Sequence, residues 1–118
     1  MVAKFGVLPM AYASLGANTF PAKRDKTLDL FKEKVILDIA EKHGKTPAQI
    51  LLNWALHRGH VIIPKTATIK RLPENFNVFD FKLSDDEYKS ITDLDCGGRA
   101  FEPKTMTGPY FKDIPFYD

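Results

Sequence analysis

Disulfide bonding within the chain is excluded by arithmetic, because its 118 residues include a single cysteine, Cys96. With no second cysteine nearby, Cys96 cannot seed a thiolate zinc site either, and it reads as a small buried or loop thiol or a pocket-lining group. Charge of one sign is also scarce: 17 basic against 15 acidic residues leave a net charge of +2. That excludes a global field drawing the chain to nucleic acid or an anionic membrane, so any basic site must be local. Long hydrophobic runs are missing. Val61-Ile62-Ile63-Pro64 is among the longest, far short of the roughly twenty apolar residues that cross a bilayer. Lys4 lies so close to the N-terminus that no signal-type apolar region precedes it, and the expected location is cytoplasmic.

What is present suits a soluble globular domain. Hydrophobic residues make up 44% and charged residues 27% of the chain, enough to bury an ordinary core. Leu28, Phe31, Val35 and Ile39 recur at helical spacing, with Lys32, Lys34, Asp38 and Glu41 on other faces, which predicts a helix from Thr27 ended by Gly44. Thr46-Pro47-Ala48-Gln49 has the form of a capping box with proline at the first helical position. Ile50, Leu51, Trp54 and Ala55 then supply a buried stripe as far as Arg58-Gly59. Ser84-Asp85-Asp86-Glu87 is a second capping box, and it starts a helix running to about Leu94. Its carboxylates sit where the helix N-terminus is positive.

Residues 61–63 are apolar without alternation, which predicts a strand covered on both faces, as in a parallel sheet. A similar strand is expected over residues 7–11, short or irregular because Pro9 lacks a donor. Between Lys65 and Phe76 a helix is placed to start near Arg71, which keeps Pro73 in its first turn. Beyond Cys96-Gly97-Gly98 no period survives. Phe101, Tyr110, Phe111, Phe116 and Tyr117 alternate with Pro103, Pro109 and Pro115, the composition of a lid or docking strap. Strands alternating with helices imply parallel pairing through crossovers. Two such strands leave unpaired edges and too little sheet for the helices, so the chain reads as incomplete for an independent fold.

Chemistry concentrates where the second strand ends. Pro64 gives way to Lys65, Thr66, Thr68, Arg71 and Asn75, a planar fork, a mobile cation and hydroxyl donors suited to phosphate. The first strand ends in Tyr12-Ala13-Ser14-Leu15-Gly16-Ala17, and the two strand ends are expected to face one ligand. Lys23, Arg24 and Lys26 form a third basic group, read as a solvated loop or as one closing over that ligand. His43 before Gly44 is read as structural, complementing helix-end carbonyls. His57 and His60 lack metal-ligand spacing.

These motifs together resemble the aldo-keto reductase family. The resemblance rests on Met10 to Gly16, on the helix from His43 through Trp54, on Ile63-Pro64-Lys65-Thr66 with Arg71-Leu72-Pro73-Glu74-Asn75, and on the run from Val78 to Ser84. It implies the C-terminal part of an α/β (β/α)8 TIM barrel, the last two strand-helix units, left incomplete in this chain. Barrels of this kind hold phosphate in the loops after strands seven and eight.

Site roles follow from the resemblance. Tyr12 would stack on the nicotinamide; Ser14, Leu15 and Ala17 would lie along the pyrophosphate; Lys65, Thr66 and Arg71 would hold the 2′-phosphate of NADPH, with Thr68 also among the cofactor-binding residues; Glu74 and Asn75 would meet the adenine. Ser14 stands where the family usually has proline, and Ala17 where it often has serine. The resemblance divides the chain into residues 1–95, a barrel segment with cofactor-binding loops, and residues 96–118, an aromatic tail lining a substrate pocket. It implies an NADP-dependent oxidoreductase, an aldehyde reductase in the broad sense, acting on a small carbonyl compound. The family's catalytic tetrad sits on earlier strands, so no catalytic residue is carried over, no metal is implied, and the chain alone is expected to be inactive without the remaining strands or a partner chain. The alternative is a truncated, non-catalytic remnant serving as a structural or interaction element.

Overall fold

Thr46 is extended, and its hydroxyl accepts from the Gln49 N–H while the Gln49 carboxamide accepts from the Thr46 N–H. This reciprocal cap, with Pro47 behind it, launches the best-formed helix of the molecule, Pro47–His57. In the computed structural model, residues 2–16 and 29–97 are described, apart from the side chains of Val2 and Ala3. Seven elements are numbered in chain order within them: α1 (Val2–Phe5), β1 (Met10–Ala11), α2 (Lys34–His43), α3 (Pro47–His57), β2 (Val61–Ile62), α4 (Arg71–Phe76) and α5 (Asp85–Thr92).

The core lies among α2, α3 and α5. Ile36, Ile39 and Ala40 meet Ile50 and Leu51 across the α2–α3 contact, with Leu83 and Ile91 closing the cluster from the α5 side. Gly44 makes the α2–α3 turn possible. It sits in the left-handed region at φ 60°, where its N–H bonds back toward the last carbonyls of α2, a conformation that costs other residues their Cβ clearance. α3 is buried on more sides than an amphipathic stripe requires. Gln49, Leu52 and Asn53 are buried along with Ile50, Leu51 and Ala55, whereas Trp54, expected on the buried stripe, is half-buried. The indole packs at the edge of the core and donates to the Thr92 hydroxyl at 3.1 Å, with the Arg58 guanidinium over its ring.

Both capping boxes form as expected, the second joining Ser84 and Glu87 at the start of α5. α4 starts at Arg71, which places Pro73 third in the helix, where its missing N–H belongs to a group that has no intrahelical partner anyway. α2 starts at Lys34, later than the apolar spacing predicts; residues 30–32 form a turn, and Thr27 and Leu28 lie outside the described residues. The Lys32 N–H closes that turn on the Asp29 carbonyl at 2.7 Å. Also outside are Ala17, the Lys23, Arg24 and Lys26 group, and the aromatic residues beyond Gly97.

β1 and β2 pair in parallel, Met10 opposite Val61 and Ala11 opposite Ile62. β1 is shorter than residues 7–11, and Pro9 contributes only its carbonyl, accepting from the Val61 N–H at 2.9 Å. The expectation that the second strand is covered on both faces is not met. Val61 and Ile62 are half-buried, Ile63 is exposed, and Met10 is 60% exposed. α3 packs against β2, and the described sheet is two strands wide, so each strand is an edge strand within it.

Candidate functional site

Because the strands run parallel and in register, the segments that follow Ala11 and Ile62 leave from the same edge of the sheet. Brought together there are the turn beginning at Tyr12 and the loop carrying Lys65. The Tyr12 turn is built by its own backbone: Ala13 adopts φ 52°, the Gly16 N–H bonds to the Ala13 carbonyl at 2.9 Å, and the Ser14 hydroxyl donates to the Ala11 carbonyl at 3.0 Å. The Ser14 proton thus holds the strand end. Leu15 turns inward and packs against the helical core, while the Tyr12 ring stands 69% exposed.

On the other side, the Thr66 hydroxyl accepts from the Thr68 N–H at 3.0 Å and lies 3.2 Å from the Thr68 carbonyl. The Thr68 carbonyl also accepts from the Arg71 N–H at 3.0 Å, and the Ile69 carbonyl from Leu72. These bonds deliver Arg71 as the first residue of α4. Glu74 and Asn75, farther along that helix, are half-buried.

Clustering of charge marks this loop, since Lys4, Arg58 and Lys82 are also exposed and outside the ion pairs but lie apart in the chain. Lys32, Lys34, Lys42, Lys45 and Lys89 each pair with a carboxylate. Lys65, Lys70 and Arg71 are exposed, and among the described residues none of the three is in an ion pair. Three unneutralised cations within seven residues, beside threonine hydroxyls, make an anion-attracting surface. Lys70 was not singled out in the sequence, although it adjoins Arg71; it joins the charge group because it is exposed beside Arg71 and, among the described residues, in no ion pair.

Two further residues matter here: Gln49, which the sequence marks only as a helix-capping partner, and Asn53, which it does not mark. The Gln49 carboxamide donates to the carbonyls of Glu74 and Asn77, each at 3.1 Å. Asn53, one turn later on α3, donates to the carbonyls of Val78 at 2.8 Å and Phe81 at 3.1 Å. A polar residue at i and i+4 within an apolar helix is the signal that could have drawn attention to them.

A separate polar cluster staples α2 to α5. Glu87 accepts from Lys42 at 2.6 Å, pairs with His43 at 3.0 Å and receives the Ser84 N–H at 2.8 Å. Burial alone would raise its pKa. The hydrogen bonds from Lys42, Ser84 and His43 outweigh that effect and bring it from 4.5 to about 2. His43 is therefore structural as expected, but its partner is a carboxylate rather than the helix-end carbonyls. No group of three or more His, Cys, Asp or Glu suited to a metal occurs among the described residues. No helix there is long and apolar enough to cross a membrane.

Comparison with known proteins bears on this edge. Residues 1–95 match the model of the Aldo/keto reductase family. An NAD(P)H-dependent pentose reductase of Pyricularia oryzae is 42% identical over 110 residues, which are 90% of this chain and 34% of the relative. Methylglyoxal reductase DkgA of Escherichia coli is 53% identical over 70 residues, 59% of this chain and 26% of that protein. The crystal structure of an aldo-keto reductase enzyme from a Medee basin deep-sea metagenome library superposes with a TM-score of 0.75 at 32% identity, covering 98% of this chain and 37% of the other. This chain spans about a third of the length of the curated relatives it matches.

Proposed function

The chain belongs to the aldo-keto reductase family, and from that premise we propose that it supplies the cofactor-phosphate and adenine grip of an NADPH-dependent carbonyl reductase. The observation that carries this reading is the shared sheet edge. Parallel register sends the Tyr12 turn and the Lys65 loop out side by side, and the second of these bears the unpaired cations Lys65, Lys70 and Arg71.

The side chains present fit a dinucleotide bearing an extra phosphate. Arg71 offers a planar fork and Lys65 a mobile point charge, and more than one cation at one phosphate favours NADPH over NADH. Thr66 and Thr68 shape the loop that presents them. Tyr12 offers an exposed ring for stacking, Ser14 and Leu15 set the backbone of the turn, with Ala17 beyond it, and Glu74 and Asn75 flank the adenine side. The bound cofactor would supply hydride to a small carbonyl substrate. The groups that protonate the product belong to strands outside the present residues, so the chain alone is inactive and its working context is a complete barrel in the cytoplasm.

Two measurements test this. Purified chain mixed with NADPH and a simple aldehyde should leave the nicotinamide absorbance unchanged, whereas turnover would overturn the division of labour. Co-expression with a segment carrying the other strands should yield a complex that binds NADPH. A second reading, a non-catalytic interaction element, is favoured by the exposed apolar side chains of Phe5, Val7, Leu8, Met10 and Ile63; a stable complex with those strands that fails to bind NADPH would select it.

A further inference from the structure

α4 carries Arg71, Glu74 and Asn75, yet apolar burial does not hold it in place. None of its residues is buried, Phe76 is 74% exposed, Leu72 and the preceding Ile69 are exposed, and its N-cap has no side-chain hydrogen bond. A six-residue helix of this kind has no stability of its own. Its attachment must come from elsewhere.

Beyond the helix Val78 is fully buried, but the attachment that reaches α4 itself is polar and comes from α3. Glu74 is near the C-terminal end of α4, so its carbonyl is among those that find no partner within the helix. The Gln49 carboxamide nitrogen supplies one, and it supplies the Asn77 carbonyl as well. Gln49 is only 6% exposed, so this donor is withdrawn from water and committed to the two carbonyls. Its oxygen meanwhile accepts from the Thr46 N–H at 2.9 Å. One side chain therefore caps the start of α3 and tethers the end of α4. Asn53 repeats the tether one turn on, at Val78 and Phe81.

We propose that Gln49 is a positioning residue for the anion-binding edge, fixing α4, and through it Arg71, Glu74 and Asn75, relative to the rigid α3. This rests on the cofactor-grip reading above for its ligand, while the tether itself is a property of the empty protein. The two halves of Gln49 separate chemically. Gln49→Glu keeps an oxygen for the Thr46 N–H but removes both donors and sets a carboxylate against two carbonyls. Gln49→Met removes the tether without adding charge. Thr46→Val weakens the cap and leaves the tether intact.

The test uses the full chain and two readouts. Without ligand, hydrogen exchange at the Asn77 N–H, which bonds to the Pro73 carbonyl, should accelerate about tenfold relative to the α2 amides in Gln49→Glu and Gln49→Met, the scale of one lost buried hydrogen bond. In Thr46→Val it should not. With ligand, and with the chain co-expressed with the segment carrying the other strands, adenosine 2′,5′-bisphosphate should bind about tenfold more weakly to both Gln49 variants, and nicotinamide mononucleotide equally well. Exchange over residues 71–77 no faster than in Thr46→Val would overturn the tether. Faster exchange with unchanged bisphosphate affinity would overturn the positioning role. Loss of α2 protection in both Gln49 variants would make Gln49 a general core residue and overturn it too. Failure of the unmodified chain to bind the bisphosphate when co-expressed with the segment carrying the other strands would instead sink the cofactor reading, leaving the tether to stand or fall on exchange alone.

Discussion

The ammonium of Lys42, in the last turn of α2, lies 2.6 Å from the carboxylate of Glu87, in the first turn of α5. Two helix ends of opposite polarity are thereby joined through a carboxylate that is 8% exposed and also caps its own helix. This arrangement has a pH signature.

Glu87 has a pKa of about 2 against an ordinary 4.5, so it binds fewer protons folded than unfolded. Its stabilisation is complete above pH 4.5 and is lost as pH falls through about 2. Urea midpoints measured between pH 6 and pH 2 should decline over that window. The Glu87 contribution should not exceed about 2 kcal/mol, because Lys42 is solvent-exposed and screened. Glu87→Gln should be less stable at pH 6 and should lose less on acidification; parallel curves would remove Glu87 as the cause.

Asn53 is buried and serves two carbonyls. Asn53→Leu would leave the Val78 and Phe81 carbonyls without that donor, and a loss of about 1–3 kcal/mol is expected in chemical denaturation. A change within experimental error would show that water reaches them.

Gly44 has room for a methyl group, since nothing lies within 4 Å of the Cβ position, but its φ is +60°. Gly44→Ala should therefore cost about 1 kcal/mol through backbone conformation rather than crowding, seen as a lower melting temperature with the fold unchanged. No loss would mean that the α2–α3 turn relaxes.

Arg71→Met and Lys65→Met should each weaken NADPH binding in the assembled barrel about tenfold to a hundredfold, the scale of a charge-assisted hydrogen bond. NADH, which lacks the 2′-phosphate, should be much less affected. Equal weakening of both would move these cations away from that phosphate.

The two-stranded sheet and the exposed side chains of Phe5, Val7, Leu8, Met10 and Ile63 should make the isolated chain bind a hydrophobic dye and self-associate as concentration rises. Sedimentation showing a dye-silent monomer at all concentrations would contradict this.

Local signals were legible in the amino-acid order because they act within a few bonds. Thr46 with Gln49 and Ser84 with Glu87 need only three-residue spacing to cap a helix, Gly44 needs only its missing Cβ, and Pro73 tolerates only the first turn. The same order exposed the cationic loop at Lys65 to Arg71 and the family to which its motifs belong. The three-dimensional arrangement settled everything that depends on residues distant in the chain. It made Gln49 and Asn53 donors to carbonyls 25 to 28 positions away, gave Glu87 its partners on α2, and left β2 half-covered where an apolar run had implied full burial. Burial and hydrogen-bond pairing belong to the assembled surface, and no periodicity along the backbone encodes which neighbour a side chain will finally meet.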